Sequence, residues 1–157
     1  MTIKLISIGK TDSKPLTTLI AEYEKRLGFY VKFIFEIIPD IKNSKNLSEA
    51  QQKIKEGELI LNKTNTSDVI ILLDENGKQF SSVGFSSYLQ KHMNSGIKQL
   101  VFVIGGPYGF SEDIYKRSNG KISLSKMTFS HQMIRLFFIE QLYRGFTILR
   151  NEPYHHQ

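Results

Sequence analysis

Short apolar runs alternate with longer stretches of helical periodicity along the whole chain. Residues 3–8 (Ile-Lys-Leu-Ile-Ser-Ile) predict a strand that ends at Gly9. From Pro15 to Leu27, the residues Leu16, Leu19, Ile20, Tyr23 and Leu27 recur at helical spacing; Pro15 suits the first turn and Gly28 offers a C-cap. Residues 31–38 predict a second strand, stopped by Pro39. A polar loop over 39–47 leads to Ser48, an N-cap for a helix reaching about Asn62, with Ala50, Ile54, Leu59 and Ile60 as its expected inner stripe. Residues 68–74 and 99–104 hold continuous apolar runs, the pattern of strands covered on both faces. Asn76-Gly77 is expected to turn the chain after the first of these, and a helix from Ser81 to Asn94 turns Phe85, Tyr88, Leu89 and Met93 inward before Gly96. A short helix over 111–117 and a short strand over 122–124 precede a long helix over 131–149 and a C-terminal tail.

Strict alternation of strands and helices predicts an α/β fold: a mostly parallel sheet with helices on both faces, in one domain over residues 1–157. Ligands of such sheets bind outside the carboxyl ends of the strands. Three loops are thereby singled out, those after Leu73, after Ile104 and after Leu124. The last helix carries Met133, Ile134, Leu136, Phe137, Phe138, Ile139, Leu142, Tyr143, Phe146, Ile148 and Leu149 on nearly every side. A helix apolar all round must be covered all round, so a homodimer with this helix in the interface is expected.

Composition narrows the function. Apolar residues make up 40% and charged residues 23%, ordinary for a globular chain, and there is no cysteine for a disulfide, a thiol nucleophile or a Cys-based zinc site. No apolar stretch approaches the ~18 residues of a membrane span, and a cytoplasmic protein without membrane attachment is the default expectation. The net charge of +6 is spread evenly, three surplus positive charges in residues 1–65 and three in 66–157, which favours a polyanionic partner without marking a basic tail.

The run Val101 to Gly109 is a buried strand delivering the cluster Gly105-Gly106-Pro107-Tyr108-Gly109. It lacks the Gly-Lys-Ser/Thr of a phosphate-binding loop and the G-x-G-x-x-G of a dinucleotide site. Glycine there lets a ligand approach the backbone, and a tight strand-to-helix turn is the competing explanation.

With Gly105–Gly109, the chain carries Leu124-Ser125-Lys126-Met127-Thr128-Phe129, His131-Gln132-Met133-Ile134-Arg135, Glu140-Gln141-Leu142-Tyr143-Arg144 and Pro153-Tyr154-His155, in that order. Together these strongly resemble the ribosomal large-subunit methyltransferase H family of the SPOUT class, and the likeness extends to Ile8-Gly9-Lys10 and to Glu22–Leu27. The resemblance implies a trefoil-knotted α/β fold, a homodimer, S-adenosylmethionine as methyl donor and large-subunit rRNA in the ribosome as partner. The implied reaction is methylation of N3 of pseudouridine 1915 in 23S rRNA. The implied cofactor positions are Leu73, Gly105, Leu124, Ser125, Lys126, Met127, Thr128 and Phe129. Ser130 stands where the family often has proline, and serine can cap the helix that follows.

Methyl transfer to an imide nitrogen needs alignment and a means of bearing the negative charge left when the N3 proton goes. Tyr154 and His155 match the family's C-terminal pair, either as candidate base, and Arg144 matches an arginine that could contact RNA phosphate or an imide oxygen. If the tail reaches across a dimer, each site is built from two chains. Competing explanations stand beside these: an i,i+4 ion pair of Arg144 with Glu140, a frayed end for His155-His156, a loop-holding role for His131 and a plain surface role for His92. A metal site is not expected, because no carboxylate or further histidine is suitably spaced from the His155-His156 pair. Lys10, Lys25 and Arg26 are weaker candidates for RNA contact. A ribosome-binding factor without turnover and a SPOUT enzyme acting on another RNA, such as tRNA, are the rival functions.

Overall fold

A computed structural model describes residues 1–156; Gln157, the end of the tail, lies outside the described residues. The chain runs β1 (Thr2–Ile8), α1 (Lys14–Leu27), β2 (Lys32–Ile38), α2 (Glu49–Leu61), β3 (Val69–Gln79), α3 (Ser82–Asn94), β4 (Gln99–Ile104), α4 (Glu112–Arg117), β5 (Gly120–Ser123) and α5 (His131–Leu149). The five strands form one sheet in the order β2-β1-β4-β3-β5, and every neighbouring pair is parallel. The most apolar strands, β1, β3 and β4, take the middle, where both faces are covered. Leu100, Phe102 and Ile104 of β4 join Ile3, Leu5, Ile71, Phe85 and Phe138 in a core beneath α1, α3 and α5. Val101 and Val103 point the other way and pack with Ile6, Ile8, Ile60 and Ile114 beneath α2 and α4.

The apolar circumference of α5 is met largely inside the chain. Leu136, Phe138, Ile139, Leu142 and Phe146 are buried, with α1 and α3 packed on the helix from either side. Phe137 faces outward at 38% exposure. The sequence argument for a dimer assumed that a single chain could not cover this helix, and α1 and α3 remove most of that premise. The first turns of α5 are also fastened to the loop after β1. Buried Arg135 donates to the Ile8 carbonyl at 2.8 Å and to Thr11 Oγ1 at 2.9 Å. Gln132 donates to the Lys10 carbonyl at 3.0 Å and accepts from the Asp12 amide at 2.9 Å.

Two local expectations need correcting. The inner side of α2 is Glu56, Gly57 and Ile60, while Ile54 and Leu59 are exposed. Close approach of α4 selects the small Gly57 for that side, so side-chain hydrophobicity misjudged the face. Asn76-Gly77 is not a turn between elements: β3 continues to Gln79, with Leu73 and Lys78 both opposite Ile122 and residues 74–77 bulged out between them. Gly28 caps α1 as expected, in the right-handed region, so the helix end does not need a glycine's freedom. Ser48, Ser81, Ser111 and Ser130 all cap helices by accepting from a first-turn amide.

Gly77 lies directly against the Ile122 backbone, where any Cβ would overlap main-chain atoms. Gly77→Ala should therefore cost about 2–3 kcal/mol of stability by overpacking; an unchanged denaturation midpoint would contradict this packing of β3 on β5. A second prediction concerns Glu36, whose carboxylate sits 2.5 Å from Lys4 Nζ and 2.8 Å from Lys63 Nζ. Hydrogen bonds from the two lysines hold its pKa below the usual glutamate range. Its contribution is then complete above the unfolded value of about 4.3 and lost as pH falls through the lower folded value. Glu36→Gln should flatten the acid side of the stability curve, and an acid limb identical to that of the wild type would contradict it.

Candidate functional site

Because all five strands are parallel, the bulge of β3 after Leu73 and the loops after β4 and β5 lie at one edge of the sheet. They enclose a cleft of about 480 Å³. Leu73 closes it where β3 bulges, Gly105 at the end of β4, and the stretch Leu124 to Phe129 forms the wall after β5. All eight positions expected to hold a cofactor therefore line one cavity. The wall after β5 is fixed by its own serines: Ser123 Oγ donates to the Ser125 carbonyl at 2.9 Å, and Ser125 Oγ accepts from the Met127 amide at 3.0 Å. Met127 and Thr128 are exposed at the mouth, and the Phe129 ring meets Phe137 edge-on at 5.1 Å between centroids. Ser130 accepts from the Met133 amide at 3.2 Å, so the residue in the proline's place caps α5. His131 and Ile134 complete the lining from the first turn of that helix.

Several lining residues escaped the sequence reading. Asp74, Glu75 and Tyr115 also line the cleft. The Tyr115 hydroxyl donates to Asp74 Oδ2 at 2.5 Å, and burial followed by this carboxylate pushes the phenol up to about 12. A signal was available for the two acids, since they directly follow Leu73 where the apolar run of β3 stops.

The tail residues gather elsewhere, at the C-terminal half of α5, and the carboxylate of Glu140 is their hub. Arg144 donates to its Oε1 through Nε at 3.0 Å and Nη2 at 2.6 Å. The Tyr154 hydroxyl donates to the same oxygen at 3.0 Å and lies 3.1 Å from the Tyr23 hydroxyl. The Arg144 guanidinium lies over the Tyr154 ring at 4.7 Å, and its Nη1 is 3.3 Å from His155 Nδ1. Guanidinium nitrogens only donate, so His155 Nδ1 accepts here and the neutral ring carries its proton on Nε2. Burial, then hydrogen bonds with Tyr23 and Glu140, raise the Tyr154 phenol above its ordinary pKa. The bond to Glu140 correspondingly raises that of Arg144.

The ion pair expected as the bland explanation of Arg144 is thus real, and it is also what orders Tyr154. His155 is docked on α5 in the same cluster, and His156 is exposed. Arg26, by contrast, is tied to Glu22 and lies near the Tyr23 and Tyr143 rings, whereas Lys10 and Lys25 are exposed.

The two groups of residues do not coincide within one chain. Arg144 lies ten residues beyond Ile134, about 15 Å along the helix axis. A second hollow of about 380 Å³ shares the Leu124 and Phe129 wall with the cleft and extends past Phe80, Phe85 and Phe137 to Glu140.

Comparison with known proteins accords with this geometry. Residues 1–155 match the family described as predicted SPOUT methyltransferase. The chain is 78% identical to a Flavobacterium johnsoniae protein, 70% to one from Christiangramia forsetii and 54% to one from Bacteroides thetaiotaomicron, each over 157 residues and the full length of both chains. All three relatives bear the name ribosomal RNA large subunit methyltransferase H. The chain, with its parallel α/β sheet and its cleft at the strand ends, belongs to the SPOUT methyltransferase family.

Proposed function

We propose that this protein methylates N3 of pseudouridine 1915 in 23S rRNA with S-adenosylmethionine as donor, working as a homodimer in the cytoplasm. The observation that carries the reading is the one cleft into which the β3 bulge and the loops after β4 and β5 bring Leu73, Gly105 and Leu124–Phe129. The names of the full-length relatives supply the rRNA target.

The residues present suit the donor. A cavity of about 480 Å³ lies within the range of cofactor-sized ligands. Leu73, Leu124, Met127 and Phe129 offer apolar walls, the loop backbones offer polar edges, and Asp74 and Glu75 offer negative charge to a cationic sulfonium and ammonium group. When bound, S-adenosylmethionine supplies a methyl group already activated by the sulfonium, so the protein's work is alignment and charge management.

The tail cluster fits the second task. As the N3 proton leaves to solvent, Arg144 and the Nε2–H of His155 can donate to the imide oxygens and hold the developing anion. Tyr154 is poorly placed to act as base, since its hydroxyl already donates to Glu140 and its pKa is raised, so it stays protonated. Its role in this reading is to keep Arg144 in place. The separation of cleft and tail along α5 supports a site in which the tail of one copy serves the cleft of the other. Exposed Phe137 and the hollow beside it offer an apolar face for that second copy.

Labelled methyl from S-adenosylmethionine should appear at N3 of one pseudouridine in ribosomes lacking this methylation, and not where the pseudouridine is absent. No label, despite cofactor binding by calorimetry, would redirect the reading to another RNA; neither label nor binding would leave a ribosome-binding factor. His155→Ala should lower turnover by ~10²-fold or more with donor affinity retained, whereas His155→Gln, whose amide can place an N–H where Nε2–H stands, should retain more; equal loss in both would favour His155 as base. Light scattering at micromolar concentration should report a dimer, and a monomer would overturn the shared site.

A further inference from the structure

On the side of the glycine loop facing α2 lies a carboxyl group that the chemistry above does not use. Glu56 of α2 is only 3% exposed. Its Oε1 accepts from Gln52 Nε2 at 3.0 Å, and its Oε2 is buried without a hydrogen-bond partner. Both oxygens press on Gly106, where any added Cβ would run into the carboxyl group.

The next residue meets the far end of the same loop. A Cβ on Gly57 would come within 2.6 Å of Ser111 Oγ, the cap of α4, and 3.2 Å of Ile114 Cγ1. Between these points the Phe110 ring folds back against Gly105, 3.0 Å from where a Cβ would stand. Two consecutive residues of α2 thus meet both ends of the segment Gly106–Ser111, and that segment borders the cleft.

The protonation of Glu56 follows from its surroundings. Burial raises its pKa, the Gln52 bond opposes this, and the negative charge of Asp40, on the segment after β2, adds to the rise. Gly106 and Ser111 bring no charge, and Arg135 of α5 is turned to Ile8 and Thr11. A buried carboxylate with one unpaired oxygen is costly when charged, so the neutral acid is the form that fits.

We propose that Glu56 is a positioning residue for the methyl donor: as a strut against Gly106 it sets the height of the glycine loop and so the width of the cleft. The inference rests on the donor reading above. Binding of S-adenosylmethionine to the full-length protein, followed by calorimetry alongside thermal unfolding, tests it. Glu56→Ala should weaken binding by about tenfold or more, and Glu56→Gln, the neutral isostere, should restore most of it. Wild-type affinity should fall as pH rises and Glu56 ionises, while Glu56→Gln should show no such fall. Gly106→Ala should weaken binding alone but add little to Glu56→Ala, whose truncation leaves room for the new methyl group.

Wild-type affinity in Glu56→Ala, strictly additive effects of the two substitutions, or the same pH profile in wild type and Glu56→Gln would each overturn the inference. If Glu56→Ala does not fold, Gly106→Ala decides: unchanged binding in that variant would overturn the inference. Failure of the wild type itself to bind would overturn the donor reading and this inference with it, a result distinct from normal binding by wild type and variant alike.

Discussion

The parallel pairing of β3 with both β4 and β5 is the constraint on which the rest depends. Parallel neighbours send their carboxyl ends to the same edge, and each return must cross a face of the sheet as a helix. Three loops distant in sequence therefore meet without any of them reaching far. The bulge at residues 74–77 belongs to the same arrangement: it adds Asp74 and Glu75 to the cleft before β3 resumes against Ile122. The Gln132 and Arg135 clamps then tie the helix after the cleft loop to the end of β1, so the wall at Leu124–Phe129 is anchored on both sides. A cleft built this way is held by backbone and core packing rather than by long flexible side chains.

The second centre of order is Glu140. One carboxylate oxygen receives Arg144 twice and Tyr154 once, and Arg144 in turn reaches His155. A C-terminal segment of this length would ordinarily fray. Here the ring of Tyr154 packs edge-on to Tyr143 at 4.7 Å, and the Glu152 amide donates to the Thr147 carbonyl at 2.9 Å. Arg144 of α5 and His155 of the tail are thus held on a rigid base, which suits the role proposed for them at the imide anion.

Much of this was legible in the sequence, and the reasons for the gaps are physical. Continuous apolar runs at 69–73 and 99–104 mark strands covered on both faces, and they became the middle of the sheet. Serine before a helical pattern marks a cap, as at Ser48 and Ser130. The lateral order of parallel strands leaves no trace in periodicity, so the meeting of Leu73 with Gly105 and Leu124–Phe129 was reached only through the resemblance and the strand-end rule. Glu56 read as one more polar residue on a solvated helix, because burial of a carboxyl group depends on a loop fifty residues away. Asn76-Gly77 carries the chemistry of a turn, and tertiary pairing with Ile122 overrode it. Glu140 was visible as the partner of Arg144, but its hold on Tyr154 needed the tail's path.

The central claim is that cleft and tail, separate on one chain, form one site when two copies meet. Mixed dimers test it most directly: one copy with the cleft obstructed by Gly105→Val, the other with His155→Ala, each inactive by itself. In a shared site, the intact cleft of the second copy faces the intact tail of the first, and methyl transfer should reappear on mixing. If each chain completes its own site, both sites in the mixed dimer carry a lesion, and no activity would return.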